Sequence, residues 1–153
     1  MEVASALTIL LLGAIPLFEA RYAIPAALVA GYQPVEAFLL GLAGNLLPII
    51  PLLLLLGPVS DFLIRHSALA DRFFRWLFER TRAKLQGLEK VEALALFAFV
   101  AVPLPMTGAW SGCVVAFIFD VPFRYALPAI ALGAVVAALV TTLPTLGFLS
   151  LVR

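Results

Sequence analysis

The stretch Pro16-Leu-Phe-Glu19-Ala-Arg21-Tyr-Ala-Ile-Pro25 sets one acid and one base into a chain otherwise uncharged from Val3 to Val35. A charge at membrane depth is costly, so it faces a protein interior or a wet cavity and marks an ion or substrate path. Pro16 and Pro25 each remove a backbone donor and disfavour helix at the residue before them. Two short helices meeting at an irregular, charged turn are expected here. Such backbone survives within a bilayer only when it is buried in protein or lines a cavity.

Composition fixes the wider class. Of 153 residues, 64% are hydrophobic and 12% charged, with mean hydropathy +1.13. Soluble domains run near half apolar and a quarter charged, so the chain reads as an all-α integral membrane protein forming a single membrane domain. Cys113 is the only cysteine, which excludes an internal disulfide and a thiolate metal cage. The start Met-Glu-Val lacks the basic region and cleavage site of a removable signal, so insertion is expected to use the mature segments.

Ala37–Gly57 and Tyr125–Val152 are uncharged and long enough to span, since a crossing needs about 20 residues. Pro48 and Pro51 in the first, and Pro128 and Pro144 in the second, predict kinks. Two other segments are broken. Val3–Ile15 and Tyr22–Gly31 flank the charged turn, and Ala93–Val102 and Trp110–Phe119 flank Pro103-Leu-Pro105-Met-Thr-Gly108. At 1.5 Å per residue these pieces reach only about 15–20 Å. They fit re-entrant hairpins, the alternative being one kinked span across each break.

Ala14-Ile-Pro-Leu17 matches Ala101-Val-Pro-Leu104, and a proline-led return follows each, at Pro34 and Pro122. This predicts two inverted repeats, 3–57 and 93–152, each a re-entrant hairpin plus a transmembrane helix, as in many secondary transporters. The connector, 58–92, carries seven of the ten Lys and Arg. Its Phe73, Phe74, Leu77, Phe78, Leu85 and Leu88 share one face of a helix, while Asp71, Arg72, Arg75, Glu79 and Arg82 point elsewhere and Lys84 snorkels. It is expected to lie on the headgroups on the cytoplasmic side of a prokaryotic inner membrane, with both termini outside.

Glu19 is the candidate proton carrier; burial and the neighbouring Arg21 act on its protonation in opposite senses. Arg21 can hold an anionic headgroup in a two-pronged bond, with Tyr22 beside it. A charge pair that merely pins the turn is the other reading. In the second break, Thr107, Ser111 and free backbone groups offer neutral partners. Trp110 is an aromatic wall or bulk, and the half-helix it begins can present N–H groups to an anion. Gly108 and Gly112 form a small-residue face, available to an anion site, to internal packing or to a second copy of the chain. Asn45 is polar within a span, for a bond to a break or to the backbone near Pro48. Glu36, Asp120 and Arg124 read as solvated caps. There is no metal constellation, no nucleophile paired with a base and no Walker-type phosphate loop, so no enzyme, cofactor or nucleic-acid partner is expected.

The blocks Pro16-Leu-Phe-Glu19-Ala-Arg21-Tyr-Ala-Ile-Pro25 and Pro103-Leu-Pro105-Met-Thr107-Gly108-Ala-Trp110-Ser-Gly112 resemble the small multidrug export protein family, related to the DedA (SNARE-associated) superfamily. The resemblance implies two facing re-entrant hairpins. For the wider superfamily it implies proton-linked transport, including movement of polyprenyl-phosphate or phospholipid headgroups between leaflets. Glu19 then corresponds to an acidic hairpin residue and Arg21 to a phosphate-contacting arginine. DedA-type members also carry arginines near the second hairpin, and this chain has none there. The expected protein is a small secondary transporter or lipid translocase, the alternatives being an exporter of small amphipathic compounds or a non-transporting scaffold. A homodimer is expected, because two spans shield two hairpins poorly.

Overall fold

The computed structural model describes residues 5–82, 89–104 and 107–152. These form helices and turns without a strand: α1 (Ala6–Ala14), α2 (Glu19–Val29), α3 (Pro34–Leu46), α4 (Ile49–His66), α5 (Ala68–Arg82), α6 (Glu89–Ala101), α7 (Ala109–Ile118) and α8 (Phe123–Val152). Pro105 and Met106 of the second break, Lys84, Leu85 and Leu88 of the connector, and Val3 lie outside the described residues.

Both expected breaks are present. α1 ends at Ala14 and α6 at Ala101, the first residue of each copy of the repeated tetrapeptide. A proline two residues further on cannot continue the helix. α1, α2 and α7 have 9, 11 and 10 residues, far short of a hydrocarbon core of roughly 30 Å. The first break is shorter than the sequence suggested. It comprises Ile15–Phe18, and Glu19 and Arg21 belong to the first turn of α2.

Pro25 requires a correction, because it lies inside α2 and breaks nothing. It removes the one bond that its missing N–H would donate to the Arg21 carbonyl, while its neighbours Ala23, Ile24, Ala27 and Leu28 are buried and hold the helix by packing.

The second helices of the two broken pairs end alike. Tyr32 N–H bonds Ala27 O after left-handed Gly31, and Val121 N–H bonds Ala116 O after left-handed Asp120. Each is a Schellman-type stop that frees the chain to start the next helix at a proline turn. Residues 34–66 and α8 are each long and apolar enough to cross a membrane. The former is jointed at Leu47–Pro48, where Pro48 and Pro51 withhold donors; both joint residues keep right-handed helical angles, so the joint is a kink. The boundary expected at 57/58 also moves. α4 runs through Pro58 to His66, and the amphipathic connector helix is α5, capped by Ser67 Oγ accepting from Ala70 N–H at 3.3 Å. Phe74 and Phe78 of α5 meet Phe117 of α7 edge to face.

Two cores result. One gathers α1, α2 and α3 with Ala138 of α8, and the other gathers α6, α7 and α8 with Ile49 of α4. Both are rich in alanine and glycine, the composition that lets helices approach closely where lipid supplies no hydrophobic drive. A Cβ on Gly44 would stand 2.3 Å from Leu10 O, and one on Gly13 2.7 Å from Gly41 O, so α1 and α3 touch backbone to backbone. The outer surface exposes large apolar side chains such as Leu7, Val29, Leu69 and Leu151, as suits a chain surrounded by lipid.

Candidate functional site

The two breaks, about ninety residues apart in sequence, meet. Each arrives with backbone groups that a helix end leaves unsatisfied. The Trp110 indole Nε1–H donates to Ala14 O, the last carbonyl of α1, at 2.9 Å. Arg21, reaching in the opposite direction, donates through Nη1 to Leu104 O and through Nη2 to Thr107 O. A charged residue just past the first break thus serves the carbonyls of the second.

Glu19 is 6% exposed and adopts φ +52°, with Leu17 at +77° just before it. Left-handed backbone in a residue with a side chain is held only where its surroundings over-determine it. Here they do. Trp110 N–H donates to Glu19 Oε1 at 3.3 Å, and Arg21 Nη2 stands 3.6 Å from Glu19 Oε2. A Cβ on Gly108 would fall 1.8 Å from Oε2, so the carboxylate occupies the space a side chain there would fill. The sequence offered the start of α7 as one possible place for an anion; the protein's own Glu19 stands there, held by the Trp110 N–H and the favourable end of the helix dipole.

The other expected residues divide. A pocket of about 330 Å³ is lined by Pro16, Glu19, Arg21, Tyr22, Pro103, Gly108, Trp110 and Ser111, with Leu17. Tyr22 is exposed and packs edge to face on Phe18. Ser111 Oγ accepts from Gly108 N–H at 2.8 Å and caps α7. Thr107 does not line the pocket: its hydroxyl lies 2.6 Å from Val102 O and 2.9 Å from Leu104 O, stapling its own loop. Gly112 lies against Val100, where a Cβ would come within 2.6 Å. With Gly108 filled by Glu19, this face is internal, which removes it as a contact between copies. Asn45 lies apart from the pocket, 4% exposed, and its Oδ1 finds no partner among the described residues. Glu36 accepts from Gln33 N–H at 3.4 Å, the cap expected of it.

Sequence reasoning offered free backbone groups at the second break without saying that the carbonyls of Leu104 and Thr107 would serve, and it missed the Ala14 carbonyl and the close contact of Gly13 with Gly44. Proline two residues after the repeated alanine was the available signal for orphaned carbonyls; nothing local indicated their partners.

No curated protein and no solved structure matches the chain. Residues 19–140, from the start of α2 through the second break and into α8, match the family described as "Putative small multi-drug export protein", and the chain belongs to that family.

Proposed function

We propose that this chain is a secondary exporter that moves small amphipathic compounds across a membrane in exchange for protons. Glu19 is the proton site and the 330 Å³ pocket the cargo seat. One observation carries the reading: a buried acid and its arginine bridge two helix breaks at the rim of that pocket. A carboxylate that holds the N–H groups of α7 loses its grip when it gains a proton. Proton uptake and parting of the breaks then become one event, and cargo entering the parted pocket biases the same equilibrium.

The architecture supports transport. Each half runs through a broken helix pair, a left-handed stop and a long proline-led helix. We read the halves as inverted repeats whose hairpins enter from opposite faces, with the basic connector on the cytoplasmic side of a prokaryotic inner membrane and a second copy covering part of the lipid-facing flank. The family description favours export of amphipathic compounds over the anionic headgroup that likeness to DedA-type proteins suggests. So does the site, since both terminal nitrogens of Arg21 and the start of α7 are already engaged.

Vesicles holding the purified protein test this. With an imposed pH gradient, a fluorescent lipophilic cation should be exported, and Glu19→Gln should cut the rate at least tenfold while the protein stays folded. Export that ignores the gradient, or survives Glu19→Gln, overturns the proton role. Gradient-driven flipping of a labelled polyprenyl phosphate without dye export moves the cargo to the lipid class.

A further inference from the structure

Glu19, Arg21 and Gly108 line a second cavity besides the pocket, small and closed in by Val100 of α6 and Ala134, Ala137 and Ala138 of α8. Its volume is about 10 Å³, close to the roughly 10–15 Å³ that admits a single water. Besides Glu19 and Arg21 its polar wall residue is Asn45, whose buried Oδ1 is without a partner among the described residues. A buried amide oxygen left unbonded is strongly unfavourable, and buried polar atoms almost always find a protein or water partner. Dry cavities are apolar; one with two oxygen acceptors on its wall is of the kind that holds water.

We propose that this cavity is a binding site for one internal water, which donates one hydrogen to Asn45 Oδ1 and the other to the carboxylate of Glu19. When Glu19 carries a proton, the water accepts from its O–H and still donates to Asn45. Both protonation states of Glu19 therefore keep Asn45 satisfied, and the acid has a partner on its closed side that does not depend on the open pocket. Asn45 is thus a positioning residue that acts on Glu19 through the water. The water itself follows from cavity and orphaned oxygen; only its consequence for transport rests on Glu19 as the proton site.

Infrared difference spectroscopy on the full chain in lipid nanodiscs tests it. On exchange into H₂¹⁸O, the wild-type protein should show one weakly bonded O–H stretch that shifts with the isotope. Asn45→Leu, near-isosteric and without an acceptor, should abolish it. Ala138→Val should do the same by filling the cavity from α8 while leaving Asn45 and Glu19 in place. A wild type without the band, or a folded Asn45→Leu that keeps it, overturns the proposal. A high-resolution map of the unsubstituted protein decides the same question without a variant: density within bonding distance of both oxygens supports the water, and an empty cavity refutes it. Should Glu19→Gln leave export intact while Asn45→Leu removes the band, the water stands and the proton role falls.

Discussion

The two breaks are unlike in almost every respect. The first is four residues long, backbone-strained at Leu17, and followed at once by Glu19 and Arg21. The second runs from Val102 to Gly108, is uncharged, and is held by the Thr107 hydroxyl against its own carbonyls. One brings an acid and a base, and the other brings carbonyls and N–H groups that can take further partners. The two are complementary: the cation goes to the carbonyls and the anion to the start of α7. The two breaks thus supply two halves of one site.

If that complementarity holds, Arg21→Leu should have the largest effect. It takes the side-chain donor from Thr107 O and one of several donors from Leu104 O, and it leaves Glu19 buried without its cation, a loss of about 3–5 kcal/mol. Glu19→Gln should cost much less, because an amide oxygen can still accept from Trp110 N–H. Reversible unfolding in mixed micelles would rank them; equal costs would break the comparison by showing that the second break does not depend on Arg21.

Gly108→Ala comes next. The new Cβ would displace the Glu19 carboxylate, and overpacking of this kind costs about 1–3 kcal/mol. Gradient-driven export should fall with it. Gly147→Ala, where a Cβ meets nothing within 4 Å, is the matched control and should be neutral or slightly stabilising. An active Gly108→Ala protein would mean that the carboxylate is not seated where α7 begins.

How much of this was legible beforehand follows the range of each signal. An acid and a base in an apolar run, and a proline two residues past a repeated alanine, are local facts, and they placed both breaks. The two long apolar stretches were equally plain. What could not be read was long-range. Nothing near Glu19 says that its carboxylate will fill the space beside Gly108, and nothing near Thr107 says that its carbonyl will receive Arg21. Pro25 misled because proline's local cost was counted without the buried faces of Ala23, Ile24 and Ala27 that carry α2 across it. Gly108 and Gly112 were recognised as small for a reason, but the reason proved to be a carboxylate and a valine of the same chain.

Thr107→Val should cost about 1–2 kcal/mol by taking the hydroxyl donor from Val102 O and from Leu104 O, with export reduced through loss of shape in the second break. Rescue by Ser, which keeps the hydroxyl, and failure of Val would assign the effect to the staple; a tolerated Val with a failing Ser would shift it to the β-branch.

The smallest effect is the most discriminating. Trp110 does two things at once: its indole N–H pins the end of α1, and its ring walls the pocket. Phe keeps an aromatic face and loses the donor, so Trp110→Phe should cost about 0.5–1.5 kcal/mol of stability, the net worth of one hydrogen bond. If the ring is what cargo touches, the concentration of dye at half-maximal export should change little in Trp110→Phe and rise severalfold in Trp110→Ala. If instead the pin matters because it holds the first break against the second, both variants should slow maximal export to a similar degree and leave the half-maximal concentration alone. The pair of measurements therefore separates the contact that joins the two breaks from the surface they enclose, a division the geometry draws at a single side chain.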